Sequence, residues 1–499
     1  MKKLSLLVAA VLLVTMLGGC ASTGDKDALS TRPPTTTTTA KENNPQLWAP
    51  VYCDFDNETY TVTDASIVFI DGKHYNEGTV FAAFGKHTLK YNKYNNEYTR
   101  ELVLYRLGDL NFDQTVNAAD VTLLQEHLSK AKLDDGALHA ADMDKNGTVD
   151  NTDLSLLQKV NSLTDGVLLL APADGVTGLK PNPAIAELMT DYDPEGTKSM
   201  LLKDGTQLFH RQPLTLVWAS GKKQDHYTVL VAENTDFSDA FRYVTEKTSV
   251  NLANLIPDRT YYWKVIAGEQ ESDVGSFKTA ATARTITIDG VDNTRDAGGW
   301  ATEDGKFFKY GMIYRTAKLD DITAAGRKEL VEVLGVTTDL DLRTPGEGTA
   351  GNGSPLGEDI NYINYDAPYY WGTSHGIASE NYRDAWLAEI RTFADPANFP
   401  TAVHCSVGRD RTGTILLVIK GVCGVSLKDI MLDYELSLFS TIGGKNASAK
   451  SLKDNLKLTA KLIQESAPDG SFTEACEAYL LSIGITADEI AAIRANLVE

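Results

Sequence analysis

Apolar and polar positions change rhythm several times along the chain. Residues 4–17 are nearly all apolar behind Lys2 and Lys3, and the run closes as Leu17-Gly18-Gly19-Cys20. Residues 21–45 hold hardly any large apolar side chain and include Pro33-Pro34 and Thr35 to Thr39, which predicts an extended linker with nothing to pack. Over 46–107, short alternating runs (Ser66-Ile67-Val68-Phe69-Ile70, Thr79-Val80-Phe81, Thr88-Leu89-Lys90-Tyr91) broken by turn signals such as Asp71-Gly72 predict a small β module. Over 108–165 the spacing becomes helical, in Val121-Thr122-Leu123-Leu124 and Leu154-Ser155-Leu156-Leu157, each behind an acidic loop. Strand rhythm returns over 166–280, in Pro213-Leu214-Thr215-Leu216-Val217-Trp218, Tyr227 to Ala232 and Thr260 to Ala267. These predict a β-sandwich with Trp218 and Tyr262 in its core. Within 281–499, an apolar run from Thr401 to Val403 leads through a tight loop into a helix from near Arg411 through Ile415-Leu416-Leu417-Val418.

At 499 residues the chain is long enough for about three domains of ~150 residues. Hydrophobic residues at 42% and charged residues at 23% exclude a wholly disordered or multi-span membrane protein. Lys+Arg total 47 against 68 Asp+Glu, a net charge of -21, so phosphate backbones and anionic membranes are repelled and nucleic acid is not an expected partner. The same charge suggests divalent cations as partners. Five cysteines are too few and scattered for a disulfide framework. Cys423 and Cys476, on helical patterns, are expected to be buried. The run 4–17 is too short to span a bilayer comfortably and reads as an export signal over residues 1–20. Its end resembles the bacterial lipoprotein box, which implies lipidation at Cys20 and an extracytoplasmic protein anchored by lipid alone.

The acidic loops form an internal repeat. Asp109, Asn111, Asp113, Thr115 and Asp120 in the first loop are echoed by Asp142, Asp144, Asn146, Thr148 and Asp153 in the second. Oxygen ligands at positions 1, 3 and 5, a backbone carbonyl at 7 and a carboxylate at 12 meet the needs of Ca²⁺. Gly147 suits the turn at position 6, where the first loop has Gln114. The pair resembles a type I dockerin, which implies two structural calcium ions and a cohesin-bearing scaffold as partner. The positions that resemblance assigns to partner choice are Ala118-Ala119 and Asn151-Thr152. Docking on the neighbouring β module is the alternative. Thr260 to Ala267, closed by Ser276-Phe277-Lys278-Thr279, resembles a fibronectin type III domain, which implies a spacer.

The chemistry concentrates in Ala402-Val403-His404-Cys405-Ser406-Val407-Gly408-Arg409-Asp410-Arg411-Thr412-Gly413-Thr414. Strand, loop and helix in that order make an anion cradle, in which the N–H groups of Ser406, Val407, Gly408 and Arg409 point inward and the helix start at Thr412 adds partial positive charge. Arg411 is expected to grip two oxygens of a phosphate, and the same environment to make Cys405 a thiolate. His404 and the Thr412 hydroxyl are expected to hold that thiolate. Attack of sulfur on phosphorus then gives a phosphocysteine.

This segment resembles the cysteine-dependent tyrosine phosphatases, in the secreted bacterial branch with His-Cys-x-x-Gly-Lys-Asp-Arg-Thr-Gly. Asn293 to Gly299, Gly311 to Thr316 and Asp339 to Glu347 resemble further blocks of that family. The resemblance implies an α/β catalytic domain over 281–499, with a central mostly parallel sheet flanked by helices, and no cofactor for catalysis. The whole is then multidomain: that domain, two all-β modules and a small helical dockerin. Arg295 and Arg343 are expected either to support the loop or to serve as salt-bridged structural residues. The family's loop lysine is Arg409 here, which changes reach and geometry. The resemblance nominates Asp410 as general acid, with Asp366 as rival ahead of the aromatic loop Tyr369, Tyr370 and Trp371. Phosphotyrosine is the expected substrate, possible phosphoinositides beside it. The alternatives are an inositol-phosphate or phytate phosphatase, or a surface assembly protein that acts through its dockerin.

Overall fold

The computed structural model describes residues 49–62, 68–93, 96–179, 181, 183–190, 192, 214–365, 377, 379–442 and 449–499. The lipoprotein box with Cys20, the linker, and Asp366 with its aromatic loop lie outside the described residues.

The strand Thr401–His404 is the middle of a five-stranded sheet and all four of its residues are buried. The strand order is Arg295–Asp296, Ile313–Thr316, Thr401–His404, Thr338–Asp341, Asn361–Asn364. The first pair is antiparallel and the rest are parallel. Register brings Thr316, His404 and Asp341 level, so the carboxyl ends of three strands meet at one edge. Ligands sit at such an edge in α/β sheets.

Alternation along the strands feeds two cores, because successive side chains leave opposite faces. Ala402 and Tyr314 join Ile286, Leu330 and Val336 on one face. Val403, Ile313 and Leu340 join the helices of the other face. There the helix Asp410–Val422 is buried on every side from Arg411 to Val422, which explains its lack of a polar stripe. Leu427–Glu435, Ala449–Gln464 and Phe472–Ile483 enclose it.

Upstream, Val51–Asp54, Asn96–Tyr105, Gly85–Lys93, Val68–Ile70 and Lys73–Tyr75 pair in that order into a sheet. The repeat forms the helices Ala118–Ser129 and Asn151–Ser162, with Asp135–Ala141 between them. The described strands between residues 167 and 279 form two packed sheets, with Leu214–Ser220 central in one and Tyr227–Ala232 and Thr260–Ala267 adjacent in the other. Trp218 lies in the core between them, as expected, but Tyr262 does not: Tyr261 and Trp263 face inward and Tyr262 turns the other way. The period of two permits no other outcome once its neighbours are inside.

The helical repeat is packed within the chain. On Asn96–Tyr105, Leu102 and Leu104 fill the module's own core while Val103 and Tyr105 join Leu110, Leu124, Ala140 and Leu157 of the repeat. On Leu214–Ser220, Leu216 and Trp218 face the sandwich core while Val217 joins the same repeat cluster. Polar contacts reinforce the first junction: Arg106 donates to Gln114 O (2.5 Å), and Lys145 Nζ to the Tyr105 hydroxyl (2.8 Å). Inside the region assigned to the sandwich, Pro183–Thr190 is a helix whose Ile185 and Leu188 belong to the same core as Val403 and the helix Asp410–Val422. Tyr192 follows it and donates to Glu435 (2.8 Å).

Candidate active site

Three successive carbonyls of the loop after Thr401–His404 are held from outside it, and the next closes the first turn of the helix that follows. Ser406 O accepts from Lys318 N, Val407 O from Asn293 Nδ2 (2.8 Å), Gly408 O from Arg315 Nη2 (3.0 Å) and Arg409 O from Gly413 N. With carbonyls turned out, the loop presents its N–H groups inward. Gly408 makes the turn at φ +69°, and a Cβ there would fall 2.1 Å from Thr316 O. Only glycine fits that passage.

Cys405 lies at the foot of the loop, 3% exposed. Burial opposes a thiolate, but the charge of Arg411, the Thr412 hydroxyl and the N–H groups of Thr412 and Val407 outweigh it and lower the thiol pKa. The other described cysteines go the opposite way: burial raises Cys53 to about 11 and Cys423 to about 12, and raises Cys476 further. The thiolate is therefore favoured at one of the described cysteines and disfavoured at three.

Arg411 has a partner that the expectations do not include. Its Nη1 and Nη2 each donate to Glu347 at 2.8 Å, and Nη1 also to Leu342 O (3.2 Å). A carboxylate matches the guanidinium fork as a phosphate does. The Ser406 hydroxyl donates to the same Glu347. Hydrogen bonding from Arg411 outweighs partial burial and holds the Glu347 carboxyl at about 2.

His404 departs from expectation. In place of the sulfur, its ring meets Asp339 (Nε2, 2.9 Å) and Asp341 (Nδ1, 3.7 Å), fully buried at the sheet edge. Burial lowers its pKa, but Asp339 and Asp341 prevail and raise it. Arg343 is salt-bridged to Asp341 and Asp320, the structural alternative among its two expected roles. Arg295 donates to Asn293 Oδ1 and Asp433, and so steadies the asparagine that holds Val407. Arg315 and Lys420 share the same buried Asp433, at 2.7 and 2.8 Å. Three cations around one carboxylate leave positive charge behind the loop. Burial lowers Lys420 to about 8, while the three cations carry Asp433 far below the carboxylate range despite its burial.

Asp410 opens the helix and is paired with Arg409 (3.2 and 3.1 Å), while the Tyr434 hydroxyl donates to its Oδ1 (2.8 Å). Glu347, Arg315, Asp433, Lys420 and Tyr434 have no role in the expectations above. Two left a signal: Lys420 interrupts an otherwise apolar helix and Arg315 an apolar strand, and a buried cation requires a partner.

The acidic loops share their backbone-to-carboxylate hydrogen bonds. Asp109 accepts from the N–H groups of Asp113 and Gln114, as Asp142 does from Asn146 and Gly147. Asp120 accepts from Leu110 and Asn117, as Asp153 does from Met143 and Asp150. The Thr115 and Thr148 hydroxyls donate to Asp113 and Asn146, and the Asn111 side chain donates to Asp113. Gln114 adopts φ +72° where Gly147 has +87°, so the turn is kept without glycine. Carboxylate oxygens of Asp142, Asp144 and Asp153 converge within 4.8 Å. Burial first, and neighbouring acids after it, raise the pKa of Asp109, Asp144 and Asp153. A divalent cation relieves such crowding, so these residues fit calcium.

Residues 286–499 match the model of the tyrosine phosphatase family. Residues 107–160 match that of the dockerin type I domain. A protein of Cupriavidus necator named "Putative tyrosine-protein phosphatase" is 25% identical over 173 residues, 30% of this chain. The match spans 61% of that relative's length. The core catalytic domain of PP-IP phosphatase SIW14 from S. cerevisiae, solved with citrate, is 20% identical with a TM-score of 0.23, covering 34% of this chain and 91% of that one. A second structure, of the Siw14 catalytic core, has a TM-score of 0.20 at 20% identity, covering 32% of this chain and 88% of that one. The tyrosine phosphatase family region thus contains the Cys405 loop, and the dockerin region contains both acidic loops. No helix of the described residues is long and apolar enough to cross a membrane.

Proposed function

We propose that the chain is a phosphomonoester hydrolase working through a phosphocysteine at Cys405, with phosphotyrosine as its main substrate class. The carrying observation is one cysteine of lowered pKa at the foot of a loop with three successive carbonyls bonded to groups outside it. The sulfur attacks phosphorus in line while the P–O bond to the leaving group breaks, and Asp410 gives that oxygen its proton. Water then attacks the phosphocysteine, surrenders a proton to Asp410 and releases inorganic phosphate and the thiolate. Ser406, Val407, Gly408, Arg409 and Thr412 supply N–H groups to the phosphoryl oxygens. Arg411 has five donors, enough to keep Glu347 and still meet the phosphate.

In the dockerin region, Asp109, Asn111, Asp113, Thr115 and Asp120 would hold one calcium ion, and Asp142, Asp144, Asn146, Thr148 and Asp153 a second. Each ion supplies structure, by tying a loop to the helix behind it. Ala118, Ala119, Asn151 and Thr152 are exposed, which supports binding to a cohesin-bearing scaffold even though another face of the repeat is buried within the chain. The two sheets over 167–279 support a fibronectin type III-like spacer. The terminal Leu-Gly-Gly-Cys supports lipid anchoring at Cys20, outside the cytoplasm.

The test is hydrolysis of phosphotyrosine peptides, phosphoinositides and phytate by the intact chain and its Cys405→Ser variant. Loss of all hydrolysis in the variant is expected. Undiminished hydrolysis would overturn the mechanism, and a preference for phytate above about tenfold, ~1.4 kcal/mol at the transition state, would overturn the substrate class.

A further inference from the structure

The function above names Asp410 as the acid without saying what aims it. We infer that Tyr434 is the positioning residue of that acid, fixing Oδ1 of Asp410 so that the transferable proton is carried on Oδ2. The inference rests on the proposed phosphatase reading and deepens it.

The geometry is specific. Tyr434 sits on Leu427–Glu435, 2% exposed, with its hydroxyl 2.8 Å from Asp410 Oδ1. Its ring lies against Gly413, one turn into the helix that Asp410 opens, and a Cβ at Gly413 would fall 2.5 Å from the ring. Ring and hydroxyl therefore lock two helices together at the point where the acid emerges. The groups facing this pair are Arg409, bonded to both Asp410 oxygens, and Arg315 behind the loop. Burial first, and the charge of Asp410 second, push the phenol pKa well above its usual value. The hydroxyl thus stays protonated and remains a donor at any working pH.

A phenol can donate one hydrogen bond, and here it donates to Oδ1. A protonated Asp410 must then carry its hydrogen on Oδ2, and Arg409 must release that oxygen, a movement a phosphate can drive by taking the guanidinium. As sulfur bonds phosphorus and the P–O bond breaks, the Oδ2 proton passes to the leaving oxygen. Asp410 is left as a carboxylate, with Tyr434 still donating to Oδ1. Water restores the proton in the second step.

Help from a general acid matters most when the leaving group is basic. The experiment therefore compares phenyl phosphate, with a poor leaving group, and p-nitrophenyl phosphate, with an activated one, on the intact chain. Tyr434→Phe keeps the ring and removes the hydroxyl. It is expected to lower kcat/KM about tenfold on phenyl phosphate and less than about twofold on p-nitrophenyl phosphate, with KM unchanged. In an Asp410→Asn background the same change should add nothing. Both substrates report on the same active molecules, so their ratio is independent of any loss of folded protein. Equal loss on the two substrates, or a full loss persisting beside Asp410→Asn, would overturn the inference. Hydrolysis surviving Cys405→Ser would instead overturn the phosphatase reading, whatever Tyr434 does.

Discussion

Asp433 is the buried residue on which most of the site's positive charge converges, and its removal should be costly. Asp433→Asn leaves Arg295, Arg315 and Lys420 enclosed without a counter-charge, and the unfolding free energy read from denaturant titration is expected to fall by about 3–5 kcal/mol. Glu347→Gln should act on catalysis more than on folding, because the side chain is partly exposed. A roughly tenfold lower kcat/KM is expected as the Arg411 plane loses its anchor. Its pH dependence has a definite sign. The folded carboxyl at about 2 lies below the ordinary 4.5, so its contribution is complete above about pH 4.5 and fades as pH falls through 2. The difference in Tm between wild type and Glu347→Gln should accordingly shrink from pH 7 toward pH 2. The strand, loop and helix around Cys405 were legible in the residues, because a run of chemistry-bearing types is local. Asp433 was not, since its three partners lie on separate elements and only folding brings them together.

At the scale of elements, the loop depends on the passage of Gly408 beside Thr316. Gly408→Ala combines a positive φ with a backbone clash, and hydrolysis is expected to fall at least about a hundredfold. Chemical-shift changes at the backbone of Thr316 and Ala317 would locate the damage. Strands with regular alternation, such as Thr260–Ala267, were legible down to their ends, yet the inward parity at Tyr261 and Tyr262 was not. Three consecutive aromatics give either parity the same apolar content. The helix Asp135–Ala141 escaped notice because its buried face consists of glycine and alanines, too small to mark a stripe. The helical reading of Ile415 to Val418 succeeded because length and flanking signals, rather than amphipathicity, carried it.

For the whole molecule, the repeat is a joint between two β units as well as a candidate docking face. Chelation with EDTA is expected to make residues 107–165 sensitive to limited proteolysis and to lower the first thermal transition. Hydrolysis at Cys405 should stay within about twofold, because the hydrophobic cluster of the repeat takes in no residue of the Thr401–His404 sheet among the described residues. Loss of hydrolysis in step with the proteolysis would tie the two regions together. The order of modules was legible from changes in rhythm along the chain, whereas their mutual burial was not. Val103 and Val217 face foreign cores on strands whose neighbouring residues face their own.

The helix Pro183–Thr190 has a practical corollary. It leaves the chain among sandwich strands, yet Ile185 and Leu188 belong to the hydrophobic cluster that also holds the helix Asp410–Val422. Anyone trimming the gene to begin at residue 281 would strip that lining away. The shortened polypeptide would be expected to clump, even with every reactive group present. Restoring the excised helix as a separate peptide should return it to solution.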